Sequence, residues 1–218
     1  MGRRALPKID PTLDLSAQLK TFDQLPQPWD PRPLFGRAAP LVVEVGSGKG
    51  LFLRTEAPCY PDHDFLGLEI AFQYARFAAA NLVKRQVPNA VVVAGDALRV
   101  FAELLPDRSL AAVHVYFPDP WWKKRHRKRR VMRESFLRDV ERTLRDGGLL
   151  HFWTDVEEYF TSTLELIAAQ TTLGSPLPVE QRPAEHDLDY RTHFERRMRL
   201  NDEPVYRAVF RKTANSAG

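Results

Sequence analysis

Hydrophobic and polar positions divide the chain near residue 40. Before it, "PQPWDPRPLFGR" is dense in proline and charge and shows no clean period. Residues 1–39 therefore read as an irregular lead-in or arm, with one short helix at most. Beyond it, short β-branched runs alternate with longer stretches whose apolar residues recur at helical spacing. "LVVEV" (41–45), "DFLGLEI" (64–70), "AVVVAGD" (90–96), "LAAVHVYF" (110–117) and "LLHFWTD" (149–155) read as strands. "GSGKG" turns the chain and opens a helix. Further helices are expected over 71–86, near "ALRVFAELL", over 132–148 up to the Gly147–Gly148 pair, and over 156–170. "EPVYRAVFRK" (203–212) reads as a late strand, and 214–218 as a tail. Five rounds of strand and helix predict an α/β fold, a mostly parallel sheet with helices on both faces, as one domain over 40–213.

Sheets of this kind bind ligands beyond the carboxyl ends of their strands, where the strand order reverses. The residues at those ends are Glu44 with Gly46 to Gly50, Glu69, Asp96, Pro118 to Trp122, and Thr154 with Asp155. Four of the five ends carry an acid, and Asp119 stands in the loop after the remaining one. One solubilising acid after a strand is common; the repetition is what points to a cationic or hydroxyl-rich ligand.

"EVGSGKG" excludes a P-loop, because Gly50 follows Lys49 where Ser or Thr is needed and no glycine stands five before Gly48. It half-fits a dinucleotide loop: Gly46 and Gly48 match, but position 51 is Leu. A plain βα turn fits as well. The acids weigh against a pyrophosphate, which prefers helix N–H groups and little negative charge. S-adenosylmethionine has no phosphate and carries a sulfonium and an ammonium. Glu69 would accept from its ribose hydroxyls and Asp96 from its exocyclic amine. The glycines would admit its methionine end, and Glu44 would face its cationic end.

Charge sharpens the picture at one place. The formal net charge is only +4, from 32 basic and 28 acidic residues. Lys123 to Arg130 hold seven of those bases and no acid, and without them 25 bases face 28 acids. A solvated helix face would interleave acids at i,i+4 to relieve the repulsion, and this run does not. It follows "FPDPWW". The two prolines restrict the backbone around Asp119, and Trp121 and Trp122 offer flat faces to an unstacked base, although one of them reads as core. Acceptor, aromatic and polycation in that order suit a nucleic acid, with Lys123 nearest the base and Arg125, His126, Arg127, Lys128, Arg129 and Arg130 on phosphates.

"FPDPWWKKRHRKRR" closely resembles the bacterial single-chain tRNA (guanine-N7-)-methyltransferases. "EVGSGKG", "FLGLEI", "GDA", "TD" at 154–155 and "THFERR" at 192–197 match in order, so the resemblance covers about residues 40–210. It implies a Rossmann-like class I methyltransferase fold with a mostly parallel, twisted sheet of about seven strands. It implies S-adenosyl-L-methionine as cofactor, tRNA as partner, and methylation of N7 of the variable-loop guanine. Carried over by position, Glu44, Glu69, Asp96 and Asp119 would contact the cofactor. Lys123, Asp155 and the segment Thr192, His193, Phe194 and Glu195 would contact the substrate, and residues 125–130 the RNA. Asp119 is the candidate catalytic group; Asp155 and Glu195 are the candidates for reading the guanine edge. The stretch "LPVEQRPAEHDLDY" departs from the family pattern.

Two other readings remain at this level. "FPDPW" could act like the loop of enzymes that methylate exocyclic amines, or the chain could be an RNA-binding module with a vestigial cofactor fold. Cys59 is the single cysteine, and the six histidines are scattered without a ligand pairing, so no disulfide and no metal are expected. No signal peptide or membrane span is expected either, which makes the cytoplasm the default, as a monomer or homodimer.

Overall fold

The computed structural model describes residues 6–121, 123–179, 183–184, 186 and 190–214. In chain order the elements are β1 (Leu19–Thr21), α1 (Arg32–Phe35), β2 (Leu41–Val45), α2 (Leu51–Cys59), β3 (Asp64–Glu69), α3 (Phe72–Lys84), β4 (Ala90–Ala94) and α4 (Ala97–Glu103). Then follow β5 (Leu110–Tyr116), α5 (Glu134–Thr143), β6 (Leu144–Thr154), α6 (Glu157–Gln170), α7 (His193–Leu200) and β7 (Tyr206–Arg211). The seven strands lie in the order β1-β4-β3-β2-β5-β6-β7. Among the described residues, every pairing between these strands is parallel except β6 with β7. Strand order reverses between β2 and β5, so the crevice expected to take ligands opens there.

Period-two alternation sorts the strand residues between two cores. Val43 and Val45 pack with Val113, Phe101, Phe136, Leu137 and Tyr159, the side of α4, α5 and α6. Val42 packs with Phe52, Phe65, Ala78, Leu82 and Tyr116, the side of α2 and α3. Glu44 alternates with Val43 and Val45 and so shares the second face.

The lead-in is not wholly irregular. Leu19–Thr21 pair in parallel with Val92–Ala94, and Val92 N–H donates to the Gln18 carbonyl at 2.8 Å. A three-residue strand is too short to show a period.

The helix expected over 132–148 is shorter. Phe136, Leu137 and Val140 bury its apolar stripe, α5 ends at Thr143, and Leu144 already pairs with Leu110 in the sheet. The glycine pair forms an irregularity inside β6 rather than a helix cap. Gly147 takes φ 76°, and a Cβ on Gly148 would lie 2.8 Å from the Arg145 carbonyl. Residues 193–200, where the sequence reading expects no helix, form α7, capped by Thr192.

Candidate functional site

The first turn of the site is "VGSGKG". Gly46 and Ser47 N–H both donate to the Leu68 carbonyl, at 2.8 and 3.1 Å, which docks the loop on the end of β3. Gly46, Gly48 and Gly50 all have positive φ, of 79°, 54° and 70°. Gly50 also needs its missing Cβ: a methyl there would meet Ala78 Cβ at 2.8 Å, so α2 enters directly against α3. Sequence reading singles out Gly46 and Gly48 and passes over Gly50, whose role depends on a helix that is distant in sequence.

Glu69 braces this loop. One carboxylate oxygen accepts the Gly48 N–H at 2.8 Å and the other accepts the Ala71 N–H at 2.9 Å. Each oxygen keeps a further lone pair for a ligand hydroxyl. Asp96 is exposed and caps α4, its Oδ1 accepting the Leu98 N–H at 2.9 Å. Glu44 differs from both. It is 2% exposed, and its Oε2 has no hydrogen-bond partner. Burial, reinforced by the nearby Glu69 charge, pushes its carboxyl up to about 8.

A buried carboxyl oxygen with no protein partner, beside a turn of three left-handed glycines, fits a cationic ligand group. Glu69 and Asp96 add acceptors at the next two strand ends. This donor set suits S-adenosylmethionine, which brings an ammonium, a sulfonium, ribose hydroxyls and an exocyclic amine.

Beyond β5, three segments converge. Phe117 N–H donates to the Trp153 carbonyl at 2.8 Å, setting the "FPDP" loop beside the Thr154–Asp155 end of β6. The Phe117 ring meets Phe194 with centroids 4.8 Å apart, which draws in the first turn of α7. Phe117 and Trp121 hold φ of 48° and 44°. Bulky residues seldom occupy that region, and each costs on the order of 1–3 kcal/mol. Asp119 stands exposed between these two bends, Asp155 is half-buried, Thr192 is half-buried and His193 is exposed. Thr192 Oγ accepts the Glu195 N–H at 2.9 Å, which leaves its O–H free to donate.

Glu195 is placed otherwise than expected of a base reader. It is 3% exposed, and its Oε2 accepts the Arg191 N–H at 2.7 Å. Its Oε1 accepts from Arg207 at 3.2 Å and faces Arg199 at 3.5 Å. Its carboxylate ties down the Arg191 N–H before the Thr192 cap and neutralises two arginines, so it holds the turn rather than the base.

The basic run is a 3-10 turn over Lys124–Arg129. Lys123, Arg125, Lys128 and Arg129 are exposed. His126 is half-buried; its Nε2 accepts from Arg125 Nε at 3.1 Å, and its ring lies 5.9 Å from that of Trp121. The Arg129 guanidinium sits 5.1 Å from the Trp121 ring centre, so one face of that indole is already covered. Trp122 and the side chain of Arg127 lie outside the described residues. Arg130 departs from the expected phosphate contact. It is buried, its Nε donates to the Pro120 carbonyl at 2.7 Å, and its guanidinium lies 4.4 Å from the Tyr159 ring centre.

Under this site, on the α2 side of the sheet, His114 and His151 stack at 4.2 Å, and His114 Nδ1 shares a 2.6 Å hydrogen bond with the Tyr116 hydroxyl. Burial drives the pKa of His114 well below its ordinary value and that of His151 to about 4. Both rings are therefore neutral near pH 7 and serve as polar packing.

A family model described as "Putative methyltransferase" matches residues 38–208. Among curated proteins, the tRNA (guanine-N(7)-)-methyltransferase of Rhodopirellula baltica is 54% identical over 97% of this chain and 80% of its own length. The protein of the same name from Sodalis glossinidius is 37% identical over 88% of this chain and 80% of its own. The solved 16S rRNA methyltransferase KamB shares the fold, with a TM-score of 0.61 at 16% identity over 84% of this chain and 92% of that one. The switch-point site, the seven-stranded sheet and these likenesses agree, and the chain belongs to the bacterial tRNA (guanine-N7-)-methyltransferase family.

Proposed function

We propose that this chain transfers a methyl group from S-adenosyl-L-methionine to N7 of guanine in tRNA, at the variable loop. The observation that carries this reading is the 54% identity, spread over 97% of the chain, with a protein of that name. S-adenosylmethionine supplies an electrophilic methyl on a sulfonium. Glu44 is suited to its ammonium, Glu69 to its ribose, Asp96 to its adenine amine, and Gly46 and Gly48 to close backbone approach.

Guanine N7 carries an available lone pair, and its alkylation leaves every ring proton in place while the ring becomes cationic. No side chain has to remove a proton. That agrees with His114 and His151, which are neutral and stacked on one another. What the chain must do is hold N7 in line, exclude water and favour positive charge. Asp119 is suited to the last task. Guanine has to be identified without occupying N7, which disqualifies the usual arginine contact to that atom. Asp155 can accept from N1–H and the 2-amino group. Thr192 can donate to the ribose or backbone, with His193 and Phe194 flanking it, and exposed Lys123 is suited to the substrate. Arg125, His126, Lys128 and Arg129 are suited to phosphates.

Incubation with methyl-labelled S-adenosylmethionine and bulk tRNA, followed by nucleoside analysis, tests this. Label in 7-methylguanosine is expected. Label in another nucleoside, or cofactor binding without transfer, would overturn the reading.

A further inference from the structure

The basic run ends in a residue that does not behave like its neighbours. Arg125, Lys128 and Arg129 are exposed, whereas the Arg130 side chain is only 9% exposed. A phosphate outside the protein is out of its reach. Among the described residues, its guanidinium makes one hydrogen bond, one ring contact and one longer ion pair, and its buried Nη2 has no hydrogen-bond partner. Nε donates to the Pro120 carbonyl at 2.7 Å, the flat face lies over Tyr159, and Nη2 stands 3.8 Å from Glu158 on the exposed side of α6.

Tyr159 is itself fixed. It is 1% exposed, sits in the core beside Phe152, and its hydroxyl accepts the Met132 N–H at 3.3 Å. Burial pushes that hydroxyl up to about 12, and Asp119 is among the charges that it senses. Arg130 therefore spans from the rigid α6 side of the core to the loop that bears Asp119.

That loop needs a strut. It leaves β5 through Phe117 and ends at Trp121, both at positive φ, with Pro118 and Pro120 between them. Strained backbone of this kind persists only where surrounding contacts over-determine it. Phe194 holds the Phe117 ring from one side, and Arg129 and His126 lie on Trp121. The hydrogen bond from Arg130 engages the Pro120–Trp121 peptide, one residue beyond Asp119 and directly before the second bend. Arginine suits the place because one rigid fork can meet a carbonyl, an aromatic face and a carboxylate together.

We propose that Arg130 is a positioning residue for methyl transfer: its guanidinium, tied to the Pro120 carbonyl and seated on Tyr159, fixes the loop that presents Asp119. The run "RHRKRR" then divides into an outward part that meets RNA and a last arginine turned inward to shape the site. This inference rests on the reading of Asp119 as part of the site.

Single-turnover rates at saturating tRNA and cofactor, tRNA affinity across several salt concentrations, and melting temperature are measured for Arg130→Gln, Arg130→Lys, Asp119→Asn and the Asp119→Asn/Arg130→Gln pair. Arg130→Gln should slow the transfer step by roughly tenfold to a hundredfold, as loss of alignment does. Its tRNA affinity and salt slope should match the parent. Arg130→Lys should recover part of the rate, since an ammonium can still donate to one carbonyl. The pair should be no slower than the slower single variant, because Arg130 acts through the loop that carries Asp119. Three outcomes would overturn the inference: a flatter salt slope in Arg130→Gln, a parental rate once corrected for the folded fraction, or rate losses that multiply in the pair. A parental rate in Asp119→Asn would remove the site reading and the inference with it, and so separates that failure from a failure of Arg130 alone.

Discussion

Glu69 holds the Gly48 backbone N–H at 2.8 Å, so the acid that ends β3 also pins the glycine turn that follows β2. Replacing Glu69 with Gln puts an amide N–H against a backbone N–H, at either Gly48 or Ala71. The expected result is a loss of about 1–3 kcal/mol in cofactor affinity, the scale of one charged hydrogen bond. Calorimetric titration with S-adenosylmethionine measures it, and parental affinity would show that the brace is dispensable.

Glu44 gives a pH dependence of definite sign. Its carboxyl rises from 4.5 to about 8 on burial, with Glu69 adding to the rise. The folded state thus keeps a proton that the unfolded chain has lost throughout that interval. Stability should fall as pH climbs from about 4.5 to about 8, by up to roughly 1.4 kcal/mol per unit, and level off above. Denaturant midpoints of the parent and of Glu44→Gln across this range report it. The difference between the two should shift in favour of the glutamine variant as pH rises, and parallel curves would count against a protonated Glu44.

Glu195 separates a structural role from base reading. Its carboxylate is buried against Arg207 and Arg199 and accepts the Arg191 N–H ahead of α7. Glu195→Ala removes the carboxylate that faces two largely buried guanidiniums, so the melting temperature should drop, with a stability loss of roughly 3 kcal/mol. A base reader at this position would instead cost tRNA affinity and leave the melting temperature unchanged.

Arg125, Lys128 and Arg129 form the outward part of the basic run. Neutralising the three should weaken tRNA binding and flatten the plot of log affinity against log salt by about 0.7–0.9 for each phosphate that is no longer neutralised. Cofactor affinity should stay at the parental value. An unchanged salt slope would mean that the RNA backbone lies elsewhere.

Much of this was legible in the sequence because it is local. The runs 41–45, 64–70, 90–96 and 110–117 became β2 to β5 within a residue or two, since a buried parallel strand needs a continuous apolar run. The acids at their ends were visible for the same reason. Features that depend on distant partners stayed hidden. Gly50 is obligatory because Ala78 is there, and β1 exists because β4 offers an edge. Arg130 looked like its basic neighbours because charge is read along the chain, whereas its direction is set by Tyr159, far beyond the run. The Gly147–Gly148 pair carried a helix-stop signal, and a strand irregularity uses the same two residues.

The short strand β1 has a practical meaning for anyone trimming this protein. The family match begins at residue 38, and a fragment cut there would lose Leu19–Thr21. The N–H of Val92 and its neighbours along β4 would then face water as an open edge of β-branched residues, two strands from the switch point. Such edges recruit strands from other molecules. A shortened chain should therefore be prone to self-association through β4, and Leu19–Thr21 act as its guard against aggregation.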